Sequence, residues 1–418
     1  MEAKSEDPAS TFKLPASLSH AENSEHARKS NGQGESRDRK AAYALTLQKA
    51  CNTALRRVKN NSIVANCNWA APLAAAPPAA STMAILLKTA EMKAAAGLEI
   101  ESQEVKDDEG NVKGKLPSKY FHTNLQHCSD IGRFAFLDAQ HCMNNIRATA
   151  RGMIAEEGTI AYIIDLLEDP EGARYNLKPE IKALRDSAKK CLENSQAVAS
   201  KFQYWHLVIC HLKQTSLSKR GTASMSHPPY FYGTVRLTYL QTAIMEILDE
   251  STRQLGKLKG QIEPLVDFFK SILSDIHNNV EDNLEAFLRP IIQGITEGSN
   301  PEECEAIRIS GRSKERMFTT ALQMQGRFSA MVDISAAYIT ISTEYIRPAI
   351  NRMESLSTVS DSEWDVRSTE FLQWCENSMN GIDEVARTTN ANVQRNIDYH
   401  INALHRRAIE GAAMNEGS

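Results

Sequence analysis

Aromatic residues make up only 6% of this chain, although 42% of its residues are apolar. A core drawn mainly from Ala, Leu and Ile suits helix-on-helix packing better than a β-sandwich, which needs more aromatic and β-branched side chains. Long apolar runs are missing too. The nearest approach to a membrane span, Ile63 to Leu87, is broken by Pro72, Pro77 and Pro78 and by Asn66 and Asn68, so no ordinary transmembrane helix is expected. Blocks of one charge are absent and the net charge is −4, which excludes the electrostatic case for a nucleic-acid partner. The eight cysteines form no CxxC pair, and residues 1–40 have no apolar signal core. Both point to free thiols in a reducing, cytoplasmic compartment, or to release without a conventional signal peptide. The sequon Asn60-Asn61-Ser62 is accordingly expected to be silent.

Catalytic signatures are also lacking. There is no GxxxxGK[ST] phosphate loop, no GxGxxG after a strand, no HExxH and no GxSxG elbow. The expectation is a non-enzymatic protein with no cofactor.

What the sequence does contain is helical periodicity. Leu237, Leu240, Ile244, Ile247, Leu255, Leu258, Ile262, Leu265, Phe269, Ile272, Ile276, Val280, Leu284, Phe287, Ile291 and Ile295 recur at steps of three and four, with Ser251 filling the one gap. Such steps keep side chains on one face of a helix that would reach roughly 90 Å. Gly256, Gly260 and Pro264 are candidate kinks within it. The same spacing continues through Phe318, Leu322, Phe328, Met331, Ser335, Tyr338, Ser342, Tyr345, Ala349, Met353 and Leu356, with Gln325 polar in the seam. It returns in Trp364, Phe371, Trp374, Ile382, Val385, Val393, Ile397 and Leu404.

The resulting expectation is an all-α, elongated antiparallel bundle spanning 41–412 behind a disordered tail at 1–40. Its helices fall at 41–60, 121–155, 157–168, 178–219, 234–297, 302–357 and 362–412. Prolines in Trp69 to Ser81 should stop any helix and leave an extended apolar strap within 63–98, with a helix resuming at Ser81 or Thr82. The charged stretch 99–118, with turn chemistry at Asp107 to Asn111, reads as a small hairpin or loop.

Few residues stand out as candidates for chemistry. His127-Cys128 and His141-Cys142 repeat a dipeptide fourteen residues apart, but on a helix that separation is roughly 21 Å, too far for one metal ion. His127 with Asp130, His141 and His206 are the only metal candidates, and core or surface roles are the plainer reading of each. Trp205, His206, Cys210 and His211 form a second cluster, best read as an amphipathic helix burying Trp205. Arg147, Arg151, Arg312, Lys314 and Arg316 read as solvated faces. Trp69, Leu73, Met83, Ile85, Leu86 and Leu87 in the strap are candidates for contact with a membrane or a protein partner.

Three segments carry a resemblance: Trp69-Ala-Ala-Pro-Leu-Ala-Ala-Ala-Pro-Pro-Ala-Ala-Ser81, Ala135-Phe-Leu-Asp-Ala-Gln-His-Cys-Met-Asn-Asn-Ile-Arg147 and Tyr345-Ile-Arg-Pro348. They resemble a group of uncharacterised filamentous-fungal proteins often labelled "laminin domain protein", across most of 41–360. The resemblance implies long helices and an intracellular or unconventionally released protein, and it supplies no catalytic residues. In architecture alone the chain also resembles α-helical pore-forming toxins, although their membrane-active hairpin usually lies between two long helices and the apolar stretch here is near the amino terminus. Three functions follow in order of expectation. The first is a helical interaction protein that binds a partner or itself. The second is a pore-forming or membrane-remodelling protein using 63–98. The third is a helical enzyme of secondary metabolism with a site among His127, Asp130, His141 and His206.

Overall fold

The computed structural model describes residues 42, 44–60, 73–91, 97–168, 170–225 and 311–414, with positions 246, 249, 252–254, 256 and 259. The expected tail at 1–40, Trp69 and most of the 234–297 seam lie outside the described residues. Helix accounts for 87% of those that are described, and the class is all-α.

The elements in order are α1 (44–59), α2 (Ala76–Glu91), β1 (Glu104–Lys106), β2 (Val112–Lys115), α3 (Phe121–Ile154), α4 (Thr159–Glu168) and α5 (Pro170–Met225). After the gap come α6 (Gly311–Ile341), a π turn at Ser342–Ile346, α7 (Arg347–Ser357) and α8 (Asp361–Met414). At about 1.5 Å per residue, α5 and α8 each run about 80 Å.

Paired contacts fix the helix directions. Gly132, Asp138 and Thr149 of α3 meet Trp205, Lys201 and Cys191 of α5, so one chain rises as the other falls. On its other side, α3 places Ser129, Gln140 and Ile154 against Met353, Ser342 and Gln325. The α6–α7 rod in turn sets Asp333 and Tyr345 against Asn396 and Gly381 of α8. The helices α5, α3, α6 and α8 are therefore antiparallel neighbours in that order. α1 buries Leu47, Ala50, Cys51, Ala54 and Val58 at helical spacing, with Lys59 paired to Asp398 of α8 at 2.7 Å.

Three expectations are corrected. Helix α2 starts at Ala76, not at Ser81, because Pro77 and Pro78 fall in its first turn, where the missing N–H groups would have no helical partner anyway. The strap is consequently helical and packed over Ala76–Glu91. Helix α5 begins at Pro170 rather than 178 and carries Pro179 internally. The third difference is the π turn. Pro348 has no N–H and would crowd the carbonyl of Glu344 in a regular α-helix; instead the Arg347 N–H donates to the Ser342 carbonyl five residues back. Beyond that wider turn, α7 packs against α2.

The hairpin at 99–118 forms as expected, antiparallel with Glu104 opposite Lys115 and Val105 opposite Gly114. Gly110, at φ 85°, makes the turn, and Asp107 Oδ1 accepts from the backbone N–H groups of Glu109 and Asn111. Lys113 beside it, with the Asn111 hydrogen bonds, holds the Asp107 carboxyl down at about 2. Tyr204, His211 and Ser218, seven residues apart on one face of α5, receive the hairpin: His211 Nε2 lies 2.8 Å from the Ser102 carbonyl and Ser218 donates to Glu101.

Candidate functional site

The residues singled out from the sequence are dispersed. Asp130 is exposed and paired with Arg133 on its own helix, and His141 is exposed. His127 is half-buried, and His206 lies 3.8 Å from Cys210 one turn on. Among the described residues no group of three or more His, Cys, Asp or Glu side chains is placed to hold a metal ion. Leu73, Met83 and Leu86 are fully buried, so these three could meet a membrane or partner only by leaving the bundle, while Ile85 and Leu87 are half-buried. Six described cysteines are free thiols, and burial pushes Cys128 up to about 12, Cys191 up to about 11 and Cys375 up to about 12. Thiols so far from ionisation are packing groups rather than nucleophiles.

A concave site lies elsewhere, at the corner where α3 turns into α4. Helix α3 ends at Ile154 with its carbonyls facing forward, and the short link Ala155–Gly158 closes on itself through the Gly158 N–H and the Ala155 carbonyl. Helix α4 is strongly apolar and buries Ile160, Ala161, Ile163, Ile164 and Leu166. Two side chains from distant helices hold this corner. Gln325 of α6 donates its Nε2 to the Ile154 carbonyl at 2.9 Å, capping α3 from outside. Arg407 of α8 donates to both oxygens of Asp165 (2.9 and 2.5 Å) and, through Nη1, to the Glu156 carbonyl.

Between these tethers opens a cavity of about 550 Å³. Its inner wall is Ile154, Ala161, Gln325 and Leu404; its rim carries Ala155, Glu156, Tyr399, His400, Arg406 and Glu410. The volume is within the usual range for small-molecule sites, as is the mixture of apolar wall and few polar groups. Gln325 is 4% exposed, and because its nitrogen must face the Ile154 carbonyl its Oε1 is assigned without ambiguity; that oxygen is buried and accepts no hydrogen bond among the described residues. Sequence reading noticed Gln325 only as a polar interruption in a seam. The other lining residues come from stretches more than 150 positions apart, and no local motif announces them.

Behind the rim, Asn396 donates to both oxygens of Asp333, whose carboxyl is nonetheless pushed up by burial. His400, which feels Asp333, and His405, whose Nε2 is buried without a partner, are both held below the ordinary histidine value by burial. The unfolded chain therefore takes up protons at these sites before the native one does. Stability is full above about pH 6.5 and is lost as pH falls from there through the native values. Asp333 acts in the opposite sense, gaining stability as pH falls, but nearer the carboxylate range. Urea midpoints should thus drop between neutrality and mild acid, and the double variant His400→Gln, His405→Gln should flatten that slope; an unchanged slope would refute the assignment.

No family model, no curated protein and no solved structure matches this chain.

Proposed function

We propose that this protein is a non-catalytic helical scaffold whose long faces engage partner helices, those of a second copy among them. One observation carries the reading. Five large apolar side chains stand exposed on the two longest helices among the described residues: Tyr175 and Leu217 near the ends of α5, Val366 and Leu372 near the start of α8, and Tyr399 further along it. Apolar surface spread along rods of about 80 Å offers contact to other helices over an extended face.

The test is sedimentation over a wide concentration range, together with light scattering and dye-loaded liposomes in the same sample. Assembly above the 46.5 kDa monomer, weakened by Val366→Lys with Leu372→Lys and without dye release, is the expected result. A monomer at every concentration that also retains no protein in a cross-linking pull-down overturns the reading. Dye release overturns it in favour of a membrane-active protein, although among the described residues no helix is long and apolar enough to cross a membrane.

A further inference from the structure

We propose that the groove between α3 and α8, over the outer face of α6, seats a partner helix that carries two carboxylates one turn apart. The inference rests on the scaffold reading and gives the chemistry of one partner that reading leaves open.

The groove follows from the order of the helices, since α3 and α8 flank α6. Asp333 marks the line between them: Asn396 of α8 donates to both its oxygens, and the charges of Arg147 and Arg151 on α3 reach it. From there Ala336, Thr340 and Thr343 continue along one face of α6 at steps of three and four. At the far end Gln140 of α3 meets Thr343 at 3.4 Å. Val332 and Ile339 stand beside this line and, like Ala336 and Thr340, are half-buried, whereas Ile334 and Tyr338 on the far side of α6 are enclosed. The strip from Val332 to Thr343 is about 16 Å long, three helical turns. Alanine at its centre lets another backbone approach closely, and the valine and isoleucine give that backbone's side chains apolar area to cover.

Charge selects what can lie there. Arg147 and Arg151 stand one turn apart on the α3 wall, the first half-buried and the second exposed, and neither makes an ion pair among the described residues. The Arg147 Nε is buried and has no hydrogen-bond partner, so packing positions this guanidinium without a carboxylate to neutralise it. Asp333, the acid on the floor, already has both oxygens served by Asn396. Two guanidiniums against one satisfied carboxylate leave the wall positive and able to take further acceptors. Carboxylates at i and i+4 of a partner helix repeat the one-turn spacing of the two arginines and can pair with each of them. A helix with that pair beside an apolar stripe therefore meets the wall and the floor together.

The experiment is fluorescence anisotropy of the full chain with capped, alanine-rich helical peptides of about 18 residues. It is repeated in the Val366→Lys, Leu372→Lys background, so that self-assembly plays no part. One probe carries two glutamates one turn apart beside a leucine stripe; its twin carries lysines in their place. The acidic probe should bind saturably with Kd below about 100 μM, and the lysine twin at least about tenfold more weakly. Arg151→Glu, at an exposed position, should weaken the acidic probe about tenfold and strengthen the twin. Ala336→Arg should abolish binding of both by filling the floor. Should Ala336→Arg fail to fold, the two probes and Arg151→Glu still decide. Equal binding of the probes, no saturable binding, or a preference unmoved by Arg151→Glu overturns the proposal. None of those results bears on assembly of the unsubstituted chain, so failure of the groove and failure of the scaffold reading are told apart.

Discussion

Trp205→Ala should lower the unfolding free energy by about 3–5 kcal/mol, the range for removing a fully enclosed indole. Trp205 is 0% exposed and sits on α5 where it crosses α3. Phe136 meets it edge-on at 5.7 Å and Phe202 at 6.3 Å, while those two rings meet each other at 5.3 Å. The indole lies so close to α3 because position 132 is glycine: a methyl there would come within 2.3 Å of Trp205 Cζ2. One turn earlier the Cys128 thiol is also fully buried. Truncation thus leaves a cavity walled by aromatic edges that belong to rigid helices and cannot collapse into it. The mechanism is separable from general destabilisation by a second substitution. Gly132→Ala alone should be costly through overpacking, but in the Trp205→Ala background the vacated space accepts the methyl. A coupling of at least about 1 kcal/mol is expected between the two. Urea unfolding of the four proteins closes the cycle, and additive losses would show that Gly132 does not seat the indole.

That same contact shows what a sequence yields and what it withholds. Trp205 was readable as the buried member of its cluster, because Trp205, Val208, Ile209 and Leu212 share one face and the structure buries all four. Helices α3 and α8 and the hairpin turn at Asp107–Asn111 were legible for similarly local reasons: periodicity over many turns in the helices, and residue chemistry in the turn. Proline misled in two places. Pro77 and Pro78 signal a helix break, yet they occupy the first turn of α2, and only the surrounding packing decides between a break and a start. Pro348 lies inside the seam expected to run as one helix over 302–357, yet a regular helix could not accommodate it, and the chain answers with a π turn. The cavity was illegible because it is made by separation rather than by motif. Ile154, Gln325 and Glu410 meet only after three antiparallel crossings, and nothing in a local window links a helix end to a glutamine 171 positions away.

Met83→Lys should cost at least about 4 kcal/mol, the signature of an unpaired charge forced into a core. Met83 is 1% exposed on α2, and α2 is built into the bundle rather than laid over it. Its start is fixed to α8 by the Cys375 thiol, which donates to the Pro77 carbonyl at 3.3 Å. Its end is fixed by Lys88, which pairs with Asp361 at 2.7 Å and stands 5.5 Å from the centre of the Trp364 ring. Between these ends Ala79, Ala80, Ala84 and Leu86 are buried along with Met83, and the small residues let α3, α7 and α8 approach closely. Lysine matches methionine in length, so Met83→Leu, which should cost less than about 1.5 kcal/mol, separates charge from shape. The loss should also shrink as pH rises, since the native state resists protonating a buried amine and stability returns where the free amine prevails. Two structural roles for α2 give different records. If α2 is core, denaturation stays a single transition with a lowered midpoint. If α2 is a segment held for release, the rest of the bundle keeps its midpoint and residues 76–91 alone become cleavable in the folded protein. The anchoring at both ends favours the first, and native-state proteolysis of Met83→Lys beside its denaturation curve distinguishes them.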